Sequence, residues 1–92
     1  MAISGLRLVT TAGTAVTLGT QRIDGPLMVK AIDTNTGVVA LGNDGANDVT
    51  VDNGLRLEAG DVVVFEWVGD LASIYLDSAV NGEGVTWIIL NV

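Results

Sequence analysis

The stretch that decides the fold runs from residue 53 to residue 77 and reads NGLRLEAGDVVVFEWVGDLASIYLD. It contains three short apolar runs, each preceded by a turn signal. The runs are Leu55 to Leu57, Val62 to Val68 and Ala72 to Asp77. The signals are Asn53-Gly54, Ala59-Gly60-Asp61 and Gly69-Asp70. Asn-Gly is a strong turn former because both residues tolerate positive φ, and runs rich in Val, Phe, Trp and Tyr favour strands. The stretch therefore predicts short strands joined by tight turns.

The same alternation of apolar runs and turns continues through the rest of the 92 residues, which include 12 glycines. Further strands are predicted at Leu6 to Thr10, Thr14 to Leu18, Leu27 to Ile32, Val38 to Leu41, Val49 to Val51 and Val85 to Leu90. We therefore predict one all-β domain over residues 1–92, an antiparallel β-sandwich or jelly-roll-like barrel of about eight short strands. Residues 1–5 are predicted to form an N-terminal arm that is flexible or docks on a partner.

Two hairpins are predicted from neighbouring runs. Leu27 to Ile32 and Val38 to Leu41 flank the turn-rich stretch Asp33 to Gly37, so they are predicted to pair with each other. The strand that begins at Leu55 is predicted to pair back on Val49 to Val51 across the Asn-Gly turn.

Charge and composition exclude several classes of partner. Four basic residues against eleven acidic ones give a net charge of −7, which repels phosphate backbones, so no nucleic-acid binding is expected. Apolar runs such as Val62 to Phe65 are far shorter than the ~20 residues that a spanning helix needs, and no membrane partner is expected. Without cysteine, stability must come from packing, to which partner subunits can add.

The residues needed for catalysis are scarce. The chain has no histidine, no cysteine and one lysine, Lys30, which removes most acid–base and nucleophilic mechanisms. Eleven carboxylates make chance acidic pairs inevitable, so a glycosidase-like pair is a weak alternative. No glycine-rich phosphate-binding motif is present. We predict that the protein is not an enzyme and needs no cofactor.

Two acidic segments raise the question of a bound cation. Asp33 to Gly37 resembles the opening of a calcium loop, but Val38 stands where that loop needs glycine, so a turn is the preferred interpretation. Asp44, Asp48 and Asp52 could hold a hard cation if their loops converged. This second arrangement stays open at the level of the sequence.

Three predicted strands are apolar on both faces. Leu27 to Ile32, Val62 to Val68 and Val85 to Leu90 carry apolar side chains at both odd and even positions. One small sandwich has one internal core, so the second face must meet a loop, a neighbouring subunit or a foreign surface. This pattern predicts association with another protein.

The aromatic residues are the predicted interface anchors. They are Phe65, Trp67, Tyr75 and Trp87. Trp and Tyr are enriched in binding hot spots, but large residues also fill the core of a small sandwich. A third interpretation is a platform on which exposed tryptophans stack against sugar rings.

A series of short motifs follows one another along the chain: Asn35-Thr36-Gly37-Val38, Gly42-Asn43, Val49, Asn53-Gly54-Leu55-Arg56-Leu57, Ala59-Gly60-Asp61, Leu71-Ala72-Ser73-Ile74-Tyr75-Leu76-Asp77 and Gly82-Glu83-Gly84-Val85-Thr86-Trp87. Their order resembles that in small β proteins of tailed bacteriophages, the capsid decoration (cement) proteins. The resemblance covers about Ile32 to Leu90, and each motif is weak alone. It implies a β-sandwich or jelly-roll-like fold.

The resemblance also implies a function and partners. Cement proteins commonly sit as homotrimers on the outer surface of the virion, over junctions of the major capsid protein, and strengthen the head lattice; assembly takes place in the host cytoplasm. Related modules occur in head fibres and tail fibres, so a fibre module that binds a host receptor or glycan is the alternative.

Overall fold

A computed structural model describes residues 3–43 and 49–89 of the chain. Its strands are β1 (Ile3–Val9), β2 (Val16–Thr17), β3 (Leu27–Ala31), β4 (Val39–Gly42), β5 (Leu55–Leu57), β6 (Val62–Phe65), β7 (Tyr75–Ser78) and β8 (Glu83–Ile89). One 3₁₀ turn, Leu71–Ser73, precedes β7, and the Asp70 carboxylate caps it by accepting from the Ala72 N–H at 2.8 Å. Within the described ranges, no helix has the length and apolarity to cross a membrane. The all-β prediction is confirmed.

The strands form two four-stranded antiparallel sheets. The first sheet has the order β1-β8-β3-β6, and the second has the order β2-β7-β4-β5. Every connection along the chain crosses from one sheet to the other, except the one between β4 and β5. Two Greek keys wrapped into facing sheets in this order make a jelly roll. Of the predicted N-terminal arm, residues 3 to 5 are the first positions of β1 and pair with β8, while Met1 and Ala2 lie outside the described residues.

The predicted hairpin between β3 and β4 is wrong. β3 lies between β6 and β8 in the first sheet, whereas β4 lies in the second. The intervening turn carries the chain over the start of β8, where the Gly84 carbonyl accepts from the Ile32 N–H and from Asn35 Nδ2 at 3.2 and 2.9 Å. Because these hydrogen bonds hold the turn against β8, the strands before and after the turn, β3 and β4, enter different sheets.

The predicted strand at Val49 to Val51 is also wrong, and so is its pairing with β5. Residues 49–54 form a loop and turns, and β5 pairs with β4 instead, with Leu57 opposite Val39. The apolar Val49 is buried because the loop folds onto the second sheet. Burial of a loop residue therefore accounts for an apolar run that resembles a strand.

The core lies between the two sheets, where the inward side chains of both meet. Fully buried members include Leu27 and Val29 of β3, Leu76 of β7 and Ile89 of β8. At one side of the sandwich, Arg7 Nε of β1 donates to the Thr17 carbonyl of β2 at 2.9 Å, which links the two sheets. Inward positions alternate with outward ones along each strand, so each sheet also has an outer face.

The outer face of the second sheet is partly covered by loops of its own chain. Asp77, which is buried on β7, accepts from the Gly13 N–H at 2.9 Å and so ties the β1–β2 loop to this face. Gly54 lies directly between Ala40 of β4 and Val49, where an added Cβ would come within 2.9 Å of both side chains. These contacts cover the outward positions Ala40 of β4 and Asp77 of β7, while Arg56 of β5 stays exposed.

Candidate interaction surface

The outer face of the first sheet carries the second apolar side of the two-faced strands. β3, β6 and β8, which correspond to those three runs, all lie in this sheet. Their outward residues include Met28, Val64 and Ile88, each paired with or adjacent to the next across the sheet. The fold thus brings the second apolar sides of three separate runs onto one surface.

We call this surface the apolar face and define it by six exposed hydrophobic side chains, five aliphatic ones and one methionine. Its members are Leu6, Leu8, Met28, Val62, Val64 and Ile88, exposed to between 38% for Ile88 and 59% for Leu6. They account for six of the nine exposed large hydrophobic residues in the described ranges. Isolated exposed hydrophobic residues need no explanation, but a cluster on one sheet face makes that face a candidate interaction surface.

The register of the strands makes the apolar face continuous. In one row across the sheet, Val64 lies opposite Met28, and Met28 lies opposite Ile88. The next row runs from Val62 through Lys30 and Thr86 to Leu6. Directly opposed residues have Cβ atoms about 4.5–5.5 Å apart, so each row is in lateral contact.

The electrostatics of the apolar face differ from those of the whole chain. No outward position of the four described strands of this sheet is acidic, although the chain carries a net charge of −7. The single charge on the face is Lys30, whose Nζ lies 3.4 Å from Oδ1 of Asp33. An open depression of about 340 Å³ lies beside Lys30, between Met28, Thr86 and Ile88. The face is therefore close to neutral and indented at its centre.

The four aromatic residues named from the sequence lie in different surroundings. Phe65 and Trp87 are half-buried at inward positions and pack against the core. The Trp87 indole lies across Gly5, where a Cβ would come within 2.5 Å of Cζ2. Tyr75 is half-buried on the second sheet, and Trp67 is 68% exposed in the loop after β6. The fold does not gather the four into one surface, and their interface role stays a prediction.

The turn predicted at residues 33–37 is held by a carboxylate of β8 rather than arranged around a cation. Glu83 accepts from the Thr36 N–H at 2.7 Å, from Thr36 Oγ1 at 3.0 Å and from the Gly37 N–H at 3.0 Å. The hydrogen bonds from the Thr36 and Gly37 amides lower the pKa of Glu83 below its ordinary value of 4.5. Among the described residues, no three acidic groups are placed to hold a metal ion. Asp44 and Asp48 lie outside those residues.

The sequence indicated the aromatic residues as interface anchors but did not single out the aliphatic residues that form the apolar face. The available signal was the second set of apolar positions on the two-faced strands, which includes Met28, Val64 and Ile88. Leu6 and Leu8 alternate along β1 and both lie on the outer face. Which face of the sheet Leu6 and Leu8 occupy follows only from the pairing of β1 with β8.

Comparison of the chain with models of protein families, with curated proteins and with solved structures found no match. By its fold and surface, the protein is a small jelly roll in which loops of the chain cover part of the outer face of the second sheet, while the outer face of the first sheet is apolar and exposed.

Proposed function

We propose that the protein is a non-enzymatic structural protein of a phage virion, which binds the outer surface of the capsid as an oligomer and stabilises the head lattice. The observation that carries this proposal is the apolar face. Six half-exposed hydrophobic side chains on a rigid sheet keep a large apolar area in water, which is unfavourable unless a partner covers it.

A second copy of this chain is the partner that best fits the apolar face. Copies with a charge of −7 repel one another over most of their surface, and this face has no acidic outward position on its strands. Neutral apolar surface is therefore the place where two copies meet at the lowest electrostatic cost. We infer that the face is buried between subunits of the oligomer, a homotrimer in the proposed assembly.

The capsid surface is the second proposed partner, and the oligomer supplies the affinity. When several subunits of one oligomer touch an assembled lattice, the first contact makes the later ones intramolecular, so weak contacts add up to tight attachment. Unassembled capsid subunits offer one contact at a time and bind poorly. The order of motifs from residue 35 to residue 87, which resembles that of phage cement proteins, supports this location.

Light scattering coupled to size-exclusion chromatography, over a range of loading concentrations, tests the oligomer. Val64→Lys removes part of the apolar burial and places a charge in the contact, so we expect the dissociation constant to rise at least about tenfold. Leu55→Lys is the matched control, because Leu55 is 51% exposed on the second sheet and Val64 is 54% exposed on the first. A monomer at every concentration, or equal effects of both variants, would contradict the proposal.

Sedimentation with phage heads tests the capsid part separately. Heads of the encoding phage that lack this protein are mixed with the purified chain and pelleted, in parallel with unassembled capsid subunits passed over the immobilised chain. We expect binding to heads, loss of binding for Val64→Lys, and weak or undetectable binding to free subunits. An oligomer that stays in the supernatant would keep the self-association and refute the capsid location.

A further inference from the structure

The loop after β6 presents an exposed tryptophan on a rigid base. Trp67 is 68% exposed, the largest exposure among the large hydrophobic residues of the described ranges. Its benzo ring lies over Gly69, where an added Cβ would come within 2.9 Å of Cη2. Gly69 has a φ of 89°, which favours glycine, so both the backbone conformation and the closeness of the ring require this residue.

Backbone hydrogen bonds hold this loop against the segment before β3. The Ile23 N–H donates to the Gly69 carbonyl at 3.0 Å, and the Leu71 N–H donates to the Gln21 carbonyl at 3.0 Å. Ile23 and Leu71 are buried in the core and anchor the two segments. The tryptophan is therefore presented by a loop that is fixed before any ligand arrives, which reduces the entropy lost on binding.

Two charged side chains line the same depression as the Trp67 ring, so the site combines an aromatic surface with charged groups. Arg22 and Asp24 are exposed on either side of buried Ile23, and with Trp67 and Gly69 they line a depression of about 330 Å³. Within residues 3–43 and 49–89, neither side chain makes a hydrogen bond or ion pair. The depression lies at the lower end of the ~300–1,000 Å³ range of small-molecule sites.

We propose that this depression binds a neutral saccharide, with one sugar ring stacked on Trp67. A guanidinium supplies only donors and a carboxylate only acceptors, whereas sugar hydroxyls do both, so Arg22 and Asp24 together match a hydroxyl-rich ligand. Their charges cancel, which favours a neutral ligand over an anion or a cation. The apolar side of a pyranose ring covers the exposed indole. The site is separate from the apolar face and does not depend on the proposed capsid function.

A printed array of neutral and acidic glycans is the first test, followed by titration of the best neutral hit as its free oligosaccharide. Isothermal titration calorimetry measures the affinity of every variant, including those that lack Trp67. In the wild type, a change in tryptophan emission also reports mainly on Trp67, because the other tryptophan of the chain, Trp87, is half-buried. We expect saturable binding that Trp67→Ala weakens about tenfold or more and Trp67→Phe weakens less. Arg22→Ala and Asp24→Asn are each expected to weaken it, and Leu55→Ala is the control that leaves it unchanged.

The outcomes separate the saccharide site from other roles of Trp67. Absence of binding to every neutral glycan, or binding that Trp67→Ala leaves intact, refutes the proposal. Preference for acidic glycans through Arg22 alone refutes its neutral character. If Trp67→Ala disrupts the oligomer or the attachment to heads while no sugar binds, the ring is a protein contact instead. Far-UV circular dichroism of each variant confirms that the fold is retained.

Discussion

Gly54→Ala tests how the second sheet is covered by its own chain. An alanine Cβ at this position would lie 2.9 Å from Cβ of Ala40, 2.9 Å from Cγ1 of Val49 and 3.0 Å from the Leu41 carbonyl oxygen. Carbon atoms in favourable contact are about 3.5–4.0 Å apart, so the loop must lift from β4 by more than about half an ångström. Overpacking of this kind typically costs about 1–3 kcal/mol.

The expected loss can be measured by thermal and urea unfolding. For a domain of this size, each kcal/mol shifts Tm by about 4–8 °C, so a cost of about 2 kcal/mol lowers it by about 8–16 °C. The control is Gly19→Ala, whose added Cβ meets only Leu71, at 3.3 Å from its terminal Cδ1. Neither glycine has a positive φ, so both variants gain the same unfolded-state advantage of alanine. If Gly54→Ala is as stable as Gly19→Ala, the loop does not pack as described.

Two further predictions concern the hydrophobic core and the hydrogen bonds that Glu83 of β8 accepts from Thr36 and Gly37. Leu76→Ala removes a fully buried side chain from the centre of the core and should lower the free energy of unfolding by about 2–5 kcal/mol in urea titration; a loss below about 1 kcal/mol would show that the site collapses or is not central. Glu83→Gln should be less stable than wild type at pH 7. Because the folded-state pKa of Glu83 is lowered, its contribution is present above pH 4.5 and is lost as the pH falls through the folded-state value, so the difference between the two proteins should shrink below pH 4.5. A difference that stays constant from pH 7 to pH 3 would exclude an ionised carboxylate as the acceptor for Thr36 and Gly37.

The local elements of the fold could be predicted from the sequence, but their partners could not. The run at Leu55 to Leu57 coincides with β5, and most other runs overlap a strand. Pairing was wrong for β3 with β4, because the choice between a hairpin and a crossover depends on Gly84 and Glu83, which lie about fifty positions further along the chain. Local turn chemistry does not encode such long-range contacts.

Part of the apolar face could be predicted from the sequence. Three runs carry apolar residues at both odd and even positions. Because successive side chains of a strand point to opposite faces, these runs correctly indicated an apolar face outside the core. The predicted strand Val62 to Val68 would place Trp67 on the same side as Phe65, but β6 ends at Phe65 and Trp67 lies exposed in the loop that follows. The contribution of Leu6 and Leu8 depended on the position of β1 at the edge of the first sheet, which only the fold reveals.

Cysteine protection tests most directly the proposal that copies of this protein meet at the apolar face of the first sheet. The chain contains no cysteine, so Thr86→Cys places one thiol on an exposed residue in the middle of that face, and Arg56→Cys places one on an exposed residue of the second sheet. The rate of reaction with a soluble thiol reagent is measured at concentrations below and above the onset of association. We expect the thiol at position 86 to become protected on association, while the thiol at position 56 reacts equally fast in both conditions. Equal reactivity of position 86 in monomer and oligomer would show that copies of the protein do not meet at the apolar face.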